Sequence, residues 1–141
     1  MRKFLLLLLA IATVTATYGQ KSLLLASKKG INATCPMVCD AQGLVTMVSA
    51  EYNKKSPLFV YNYVIDENRC SMSALKNDVL PAAAEEIVRT LESNSQTRPF
   101  LNACIKAKVL ILFKYRGSKS GETCSIIYNP KTKKTKVSDI L

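Results

Sequence analysis

The stretch Lys108–Arg116, KVLILFKYR, constrains the fold of this chain more than any other. It is the longest apolar run after the N-terminal segment, and its β-branched and aromatic residues suit a strand. Val109, Ile111, Phe113 and Tyr115 point one way; Lys108, Leu110, Leu112, Lys114 and Arg116 point the other. Such a strand belongs inside a sheet, with one face covered. The cover lies upstream: Leu80, Ala84, Ile87, Val88 and Leu91 recur at the spacing of one helix face, with Glu85, Glu86, Arg89 and Glu92 on the other. The helix is expected from about Asp78–Leu80 to Glu92, with Asp78 as N-cap and Pro81 in the first turn. Phe100–Ala107 is expected to add a short second helix.

The remaining elements follow from alternation and turn chemistry. Gly43–Tyr52 reads as a first strand, with Leu44, Thr46, Val48 and Ala50 on one side and Val45, Met47 and Ser49 on the other. A turn at Asn53–Pro57 leads to a second strand, Leu58–Ile65, whose Phe59, Tyr61, Tyr63 and Ile65 share a face. Thr123–Asn129 pairs with the central strand across the Gly117–Gly121 loop. Lys21–Ile31 suits a short helix ended by Gly30, and Asn32–Asp40 a loop. The expected fold is α+β: a four-stranded, mostly antiparallel sheet in hairpin–helix–hairpin order, with helices packed on one face.

Met1–Gly19 has the form of a signal peptide: Arg2 and Lys3, an apolar core, then small residues before Gln20. Its apolar core is shorter than the roughly 20 residues that span a bilayer. The expected product is an exported protein, periplasmic or extracellular, with no integral membrane segment after cleavage. It comprises one domain over residues 20–130 and a basic tail over residues 131–141. Charge is uneven along it. Lys21–Thr97 balances 8 basic against 8 acidic residues, whereas Arg98–Leu141 holds 10 basic residues against Glu122 and Asp139. Lys108, Lys114, Arg116 and Lys119 lie in this excess and form the candidate binding surface, for a protein or an anionic envelope component.

The chain has no His, which excludes Ser-His-Asp and Cys-His catalysis. Asp66–Glu67 and Glu85–Glu86 are adjacent pairs, unlike the opposed carboxylates of glycoside hydrolysis. No catalytic residue and no cofactor is expected. The aromatic rows Phe59, Tyr61, Tyr63 and Phe113, Tyr115 alternate as a buried face does, so they are read as core and not as a nucleic-acid platform. The Gly117–Gly121 loop lacks the spacing of a phosphate loop. Five cysteines remain: Cys35, Cys39, Cys70, Cys104 and Cys124. Cys35-Pro-Met-Val-Cys39 is the candidate thiol site, for soft-metal or redox chemistry, against a plain structural role. Cys35 has four candidate disulfide partners. Cys104 is preferred, because both residues flank expected core segments.

Several short pieces of the chain share an order with a known group. They are Cys35-Pro36-Met37; Tyr61, Tyr63 and Asp66-Glu67; Cys104 with Lys106-Ala107; and Tyr115, Gly117 and Ser120-Gly121. This order resembles small exported proteins of Gram-negative bacteria with no assigned function. The resemblance spans about Asn32–Asn129 and implies an exported protein without lending a mechanism. Cys39, Cys70 and Cys124 depart from it. Phe59–Arg116 is also similar to the C-terminal domain of TonB-like energy-transducing proteins, which implies partner binding in the periplasm. The membrane helix and Pro-rich spacer of that family are missing.

Overall fold

The computed structural model describes residues 19–138. The expected signal peptide, up to Tyr18, lies outside them. The class is α+β as expected, but the sheet has six strands and not four. Helix α1 spans Gln20–Thr34, and the strands are β1 (Met37–Val38), β2 (Val45–Glu51), β3 (Leu58–Ile65), β4 (Leu110–Gly117), β5 (Thr123–Asn129) and β6 (Lys134–Ser138). Between β3 and β4 come a short α2 (Met72–Ala74), α3 (Leu80–Ser93) and α4 (Arg98–Ala107). The strands lie in sequence order. Every ladder is antiparallel except β3–β4, which is parallel from Leu58↔Leu110 to Ile65↔Gly117. Parallel neighbours need a long crossover, and the helical segment supplies it. The two expected hairpins are thus β2–β3 and β4–β5, joined side by side. No helix among the described residues is long and apolar enough to cross a membrane.

Each departure from expectation has a local cause. Gly30 does not end α1. A helical glycine costs about 1 kcal/mol against alanine, but Ile31 just beyond it is fully buried. Asn32 then pairs its side-chain amide with the backbone of Ala50, accepting from its N–H (2.7 Å) and donating to its carbonyl (3.0 Å). It occupies the edge of β2 where β1 is too short to reach. In β2, a bulge between Met47 and Ser49 makes Val48 an extra residue. The alternation breaks there, so Val45, Met47 and Ala50 are buried while Val48 is exposed.

The central helix begins earlier than expected. Ser71, not Asp78, is the N-cap, its hydroxyl accepting from the Ala74 N–H at 3.1 Å. A π turn over Leu75–Val79 then leads into α3, and Asp78 sits within that turn. Pro81 has no N–H to donate, and its ring opposes the carbonyl one turn back; the wider turn ends at Val79, two residues before it. The region expected as a basic tail instead contains β6, paired to β5 from Asn129↔Lys134 to Ser125↔Ser138.

The core lies between the helices and one face of the sheet. Phe59, Tyr61, Tyr63, Ile111, Phe113 and Tyr115 are all buried there, as their alternation required. Tyr61 stacks on Phe113 (5.2 Å), Tyr63 on Tyr115 (4.9 Å), and Phe100 of α4 meets Phe59 edge-on (4.9 Å). Glu92 ties the last strands to this layer. Its carboxylate accepts from the Tyr128 hydroxyl and from Arg98 (2.8 Å), with the Lys133 ammonium 3.5 Å away. Burial opposes ionisation of Glu92. The hydrogen bonds from Tyr128 and Arg98 and the two cations outweigh it and hold the carboxyl below its ordinary range.

Candidate binding face

The side chains that point away from the core form an open face. In register across it run Glu51, Val60, Leu112, Ile127 and Lys136. The next row of like-facing residues is Ser49, Asn62, Lys114, Ser125 and Ser138, and beyond it lie Val64, Arg116 and Thr123. Leu112 takes no part in the helix-side core, yet it is only 4% exposed. Val60 and Ile127 flank it on the neighbouring strands, and the stems of long side chains can shield such a position. The face therefore divides into an apolar half around Leu58, Val60, Leu110, Leu112 and Ile127 and a polar half around Lys114 and Arg116.

The polar half contains a shallow hollow of about 180 Å³ lined by Ser49, Asn62, Lys114, Arg116 and Thr123, with Val48 on its rim. The Asn62 amide donates to the Ser49 hydroxyl at 3.0 Å, linking β2 to β3 across it. Neither the Lys114 ammonium nor the Arg116 guanidinium has an ion-pair or hydrogen-bond partner among the described residues. Glu51 stands two rows from Arg116's neighbour Val64, at the far end of the face. The hollow thus offers two unpaired cations and several hydroxyl and amide groups, a donor set suited to a carboxylate or another oxyanion.

Of the four residues expected to form the binding surface, only Lys114 and Arg116 meet on this face. Lys108 caps α4 in the left-handed conformation (φ 59°), its N–H bonded to the carbonyls of Cys104 and Ile105. Lys119 lies in the loop past the other end of β4. The eight residues of that strand, at about 3.3 Å each, put the two lysines at opposite ends of the sheet. Sequence reasoning missed Lys134 and Lys136, which share the face through β6. Their alternation with Thr135 and Val137 was the available signal.

Lys119 has a different role through its backbone. Glu67 places one carboxylate oxygen against the N–H groups of Lys119 (2.8 Å) and Ser120 (2.7 Å) and the Ser120 hydroxyl (3.0 Å). The Glu67 N–H in turn donates to the Ser118 hydroxyl at 3.1 Å. The Ser120 backbone bond is the main reason that the carboxyl is held below its ordinary range. Gly117 is required for this approach, because a Cβ there would sit 2.1 Å from the same oxygen. The loop that superficially looks like a phosphate loop thus binds the chain's own carboxylate, and it brings Glu67 together with Gly117, Ser120 and Gly121.

No disulfide joins Cys35, Cys39, Cys70 or Cys104. Cys104 is buried on α4, and burial raises its pKa; Cys35 is half-buried past the end of α1. The expected Cys35–Cys104 pair is therefore not joined. Cys39 donates to the Met37 carbonyl at 3.2 Å, and burial pushes its pKa up to about 12. Burial also raises Cys35. Neither is the low-pKa thiol that redox chemistry uses. Among the described residues no group of three or more Cys, Asp or Glu side chains is placed to hold a metal ion.

No family model and no curated protein matches the chain. Solved structures share its fold. One is a crystal structure from Pseudomonas aeruginosa described as a "putative secreted protein", with a TM-score of 0.63 at 7% identity, covering 82% of this chain and 93% of that one. Another is the pilotin EpsS of the Vibrio vulnificus type 2 secretion system, with a TM-score of 0.56 at 9% identity, covering 82% and 92%. At these identities the likeness is one of fold, and it extends over nearly the whole of both neighbours.

Proposed function

We propose that this chain is an exported, non-catalytic binding domain of the cell envelope, and that the open sheet face around Lys114 and Arg116 is its binding surface. The observation that carries the reading is the pair of cations, unpaired among the described residues, over a hollow on a sheet face that no described helix covers. The form of Met1–Gly19 supports export, as does a fold shared with the protein described as a "putative secreted protein" and with a pilotin. Lys108 and Lys119 flank the face without joining it. The partner is a protein or an anionic component of the envelope. Thiol chemistry at Cys35 and Cys39 is the weaker reading, since burial keeps both thiols protonated.

The test is cell fractionation followed by retention of envelope components on the purified protein in moderate salt. Export and retention by the wild type are expected, with retention lost in the double variant Lys114→Glu/Arg116→Glu. Retention unchanged in that variant would remove the open face from the reading, and recovery of the chain in the cytoplasm would remove export.

A further inference from the structure

We propose, building on the open-face reading, that the occupant of this face is an acidic amphipathic helix of a partner protein. The face is divided as such a helix would require. Its apolar half can take a helix's apolar stripe, while Lys114 and Arg116 in the other half can take carboxylates. Lys134 and Lys136 add positive charge along the β6 side, and Glu51 is the one carboxylate in the rows described. The charge of the occupant is therefore negative. The hollow beside Lys114 and Arg116 favours inserted side chains over a flat anionic bilayer.

The dimensions agree. Five strands about 4.8 Å apart give a width of about 20 Å, and a helix of about 15 residues is about 22 Å long. A strand partner would add to an edge and not to a face. One edge is limited to the two residues of β1 and the Asn32 side chain, and the other is β6 with its lysines. An area of about 400 Å² is half the usual contribution of one partner, so binding in the micromolar range is expected.

The probe is a fluorescein-labelled 15-residue amphipathic helix of Glu, Leu and Ala, compared with its Lys-for-Glu counterpart and with phosphatidylglycerol vesicles. Anisotropy should show binding of the acidic peptide and not of the basic one. Lys114→Glu/Arg116→Glu and Ile127→Asp should each weaken it by about tenfold or more, and Lys131→Glu, outside the face, by less than about twofold. Circular dichroism checks folding, and Lys114→Gln/Arg116→Gln replaces the reversal if that variant unfolds. Vesicle binding without peptide binding would overturn this inference while leaving the open face as a binding surface. So would self-association of the protein that excludes the peptide, with a second copy as occupant. Peptide binding indifferent to all open-face variants would overturn both this inference and the proposed surface.

Discussion

Glu92 is the side chain whose removal should cost the fold most for a single polar group, because it joins α3 to α4, β5 and the β5–β6 turn. The perturbation is Glu92→Ala. A hydrogen bond from Tyr128 to an ionised carboxylate is worth about 1.5–3 kcal/mol. The Arg98 pair is 39% exposed on the arginine side and adds about 0.5–1 kcal/mol; the more exposed Lys133 pair adds about zero. The expected loss is about 2–4 kcal/mol, a large share of the roughly 5–15 kcal/mol typical of a domain. With about 2.1 cal/mol/K of unfolding entropy per residue over about 120 residues, that lowers Tm by roughly 8–16 °C. Urea unfolding should show a lower midpoint at unchanged slope. The pH dependence is a second readout. A carboxyl held below its ordinary value contributes stability that is complete above the unfolded pKa of about 4.3 and lost as pH falls through the folded value. Glu67 acts with the same sign, so Glu92→Gln should show a shallower acid limb than the wild type, not a flat one. A loss below about 0.5 kcal/mol, or superimposed acid limbs, would refute the network. The last strand would then be held by its backbone ladder and by Val137 packed against the core.

Two further outcomes are expected. Gly117→Ala should expel the Glu67 carboxylate from its loop, since the new Cβ would meet it at 2.1 Å and Met72 at 2.9 Å. Faster amide exchange at Lys119 and Ser120 would report this, and Gly117→Ala/Glu67→Ala should be more stable than Gly117→Ala alone. A single variant with wild-type exchange would contradict the geometry. In native protein at pH 8, iodoacetamide should spare Cys39 and Cys104, which are buried with raised pKa values, and label half-buried Cys35 and Cys70 slowly. Mass spectrometry that finds Cys39 labelled fastest would reopen the thiol reading.

The legible part of this fold is the part where one physical signal dominates. In β3 and β4 the burial demand is strong, so alternation identifies Phe59, Tyr61, Tyr63 and Ile65 and Val109, Ile111, Phe113 and Tyr115 as buried, while Leu112 on the opposite face is buried as well. It failed in β2 because a bulge has no compositional mark. One inserted residue at Val48 reverses the facing of every residue beyond it. It failed again at β6, where Lys134, Lys136 and the preceding lysines look like a solvated tail. Lysine on an edge strand is how sheets discourage further pairing, so an edge looks least like a strand in sequence.

The candidate site divides along the same line. Lys114 and Arg116 share a face because a strand of period two fixes which side chains do so. Lys108 and Lys119 belong to the same charge excess, but each sits past an end of β4. One is in a left-handed helix cap and the other in a loop, where parity carries no information. Glu67 shows the stronger limit. Adjacent to Asp66 and apparently solvated, it becomes a structural anion only because the parallel β3–β4 register brings Ile65 opposite Gly117. That register depends on a crossover of more than forty residues, and no local pattern encodes it. The same register places Asn62 beside Lys114 and Val64 beside Arg116, and so builds the hollow. A variant that slipped β4 by two residues would keep every buried face and lose both the Glu67 bond and the cationic recess. The binding face is therefore a property of register, and the bond between Glu67 and the Gly117–Gly121 loop is one of the contacts that hold it.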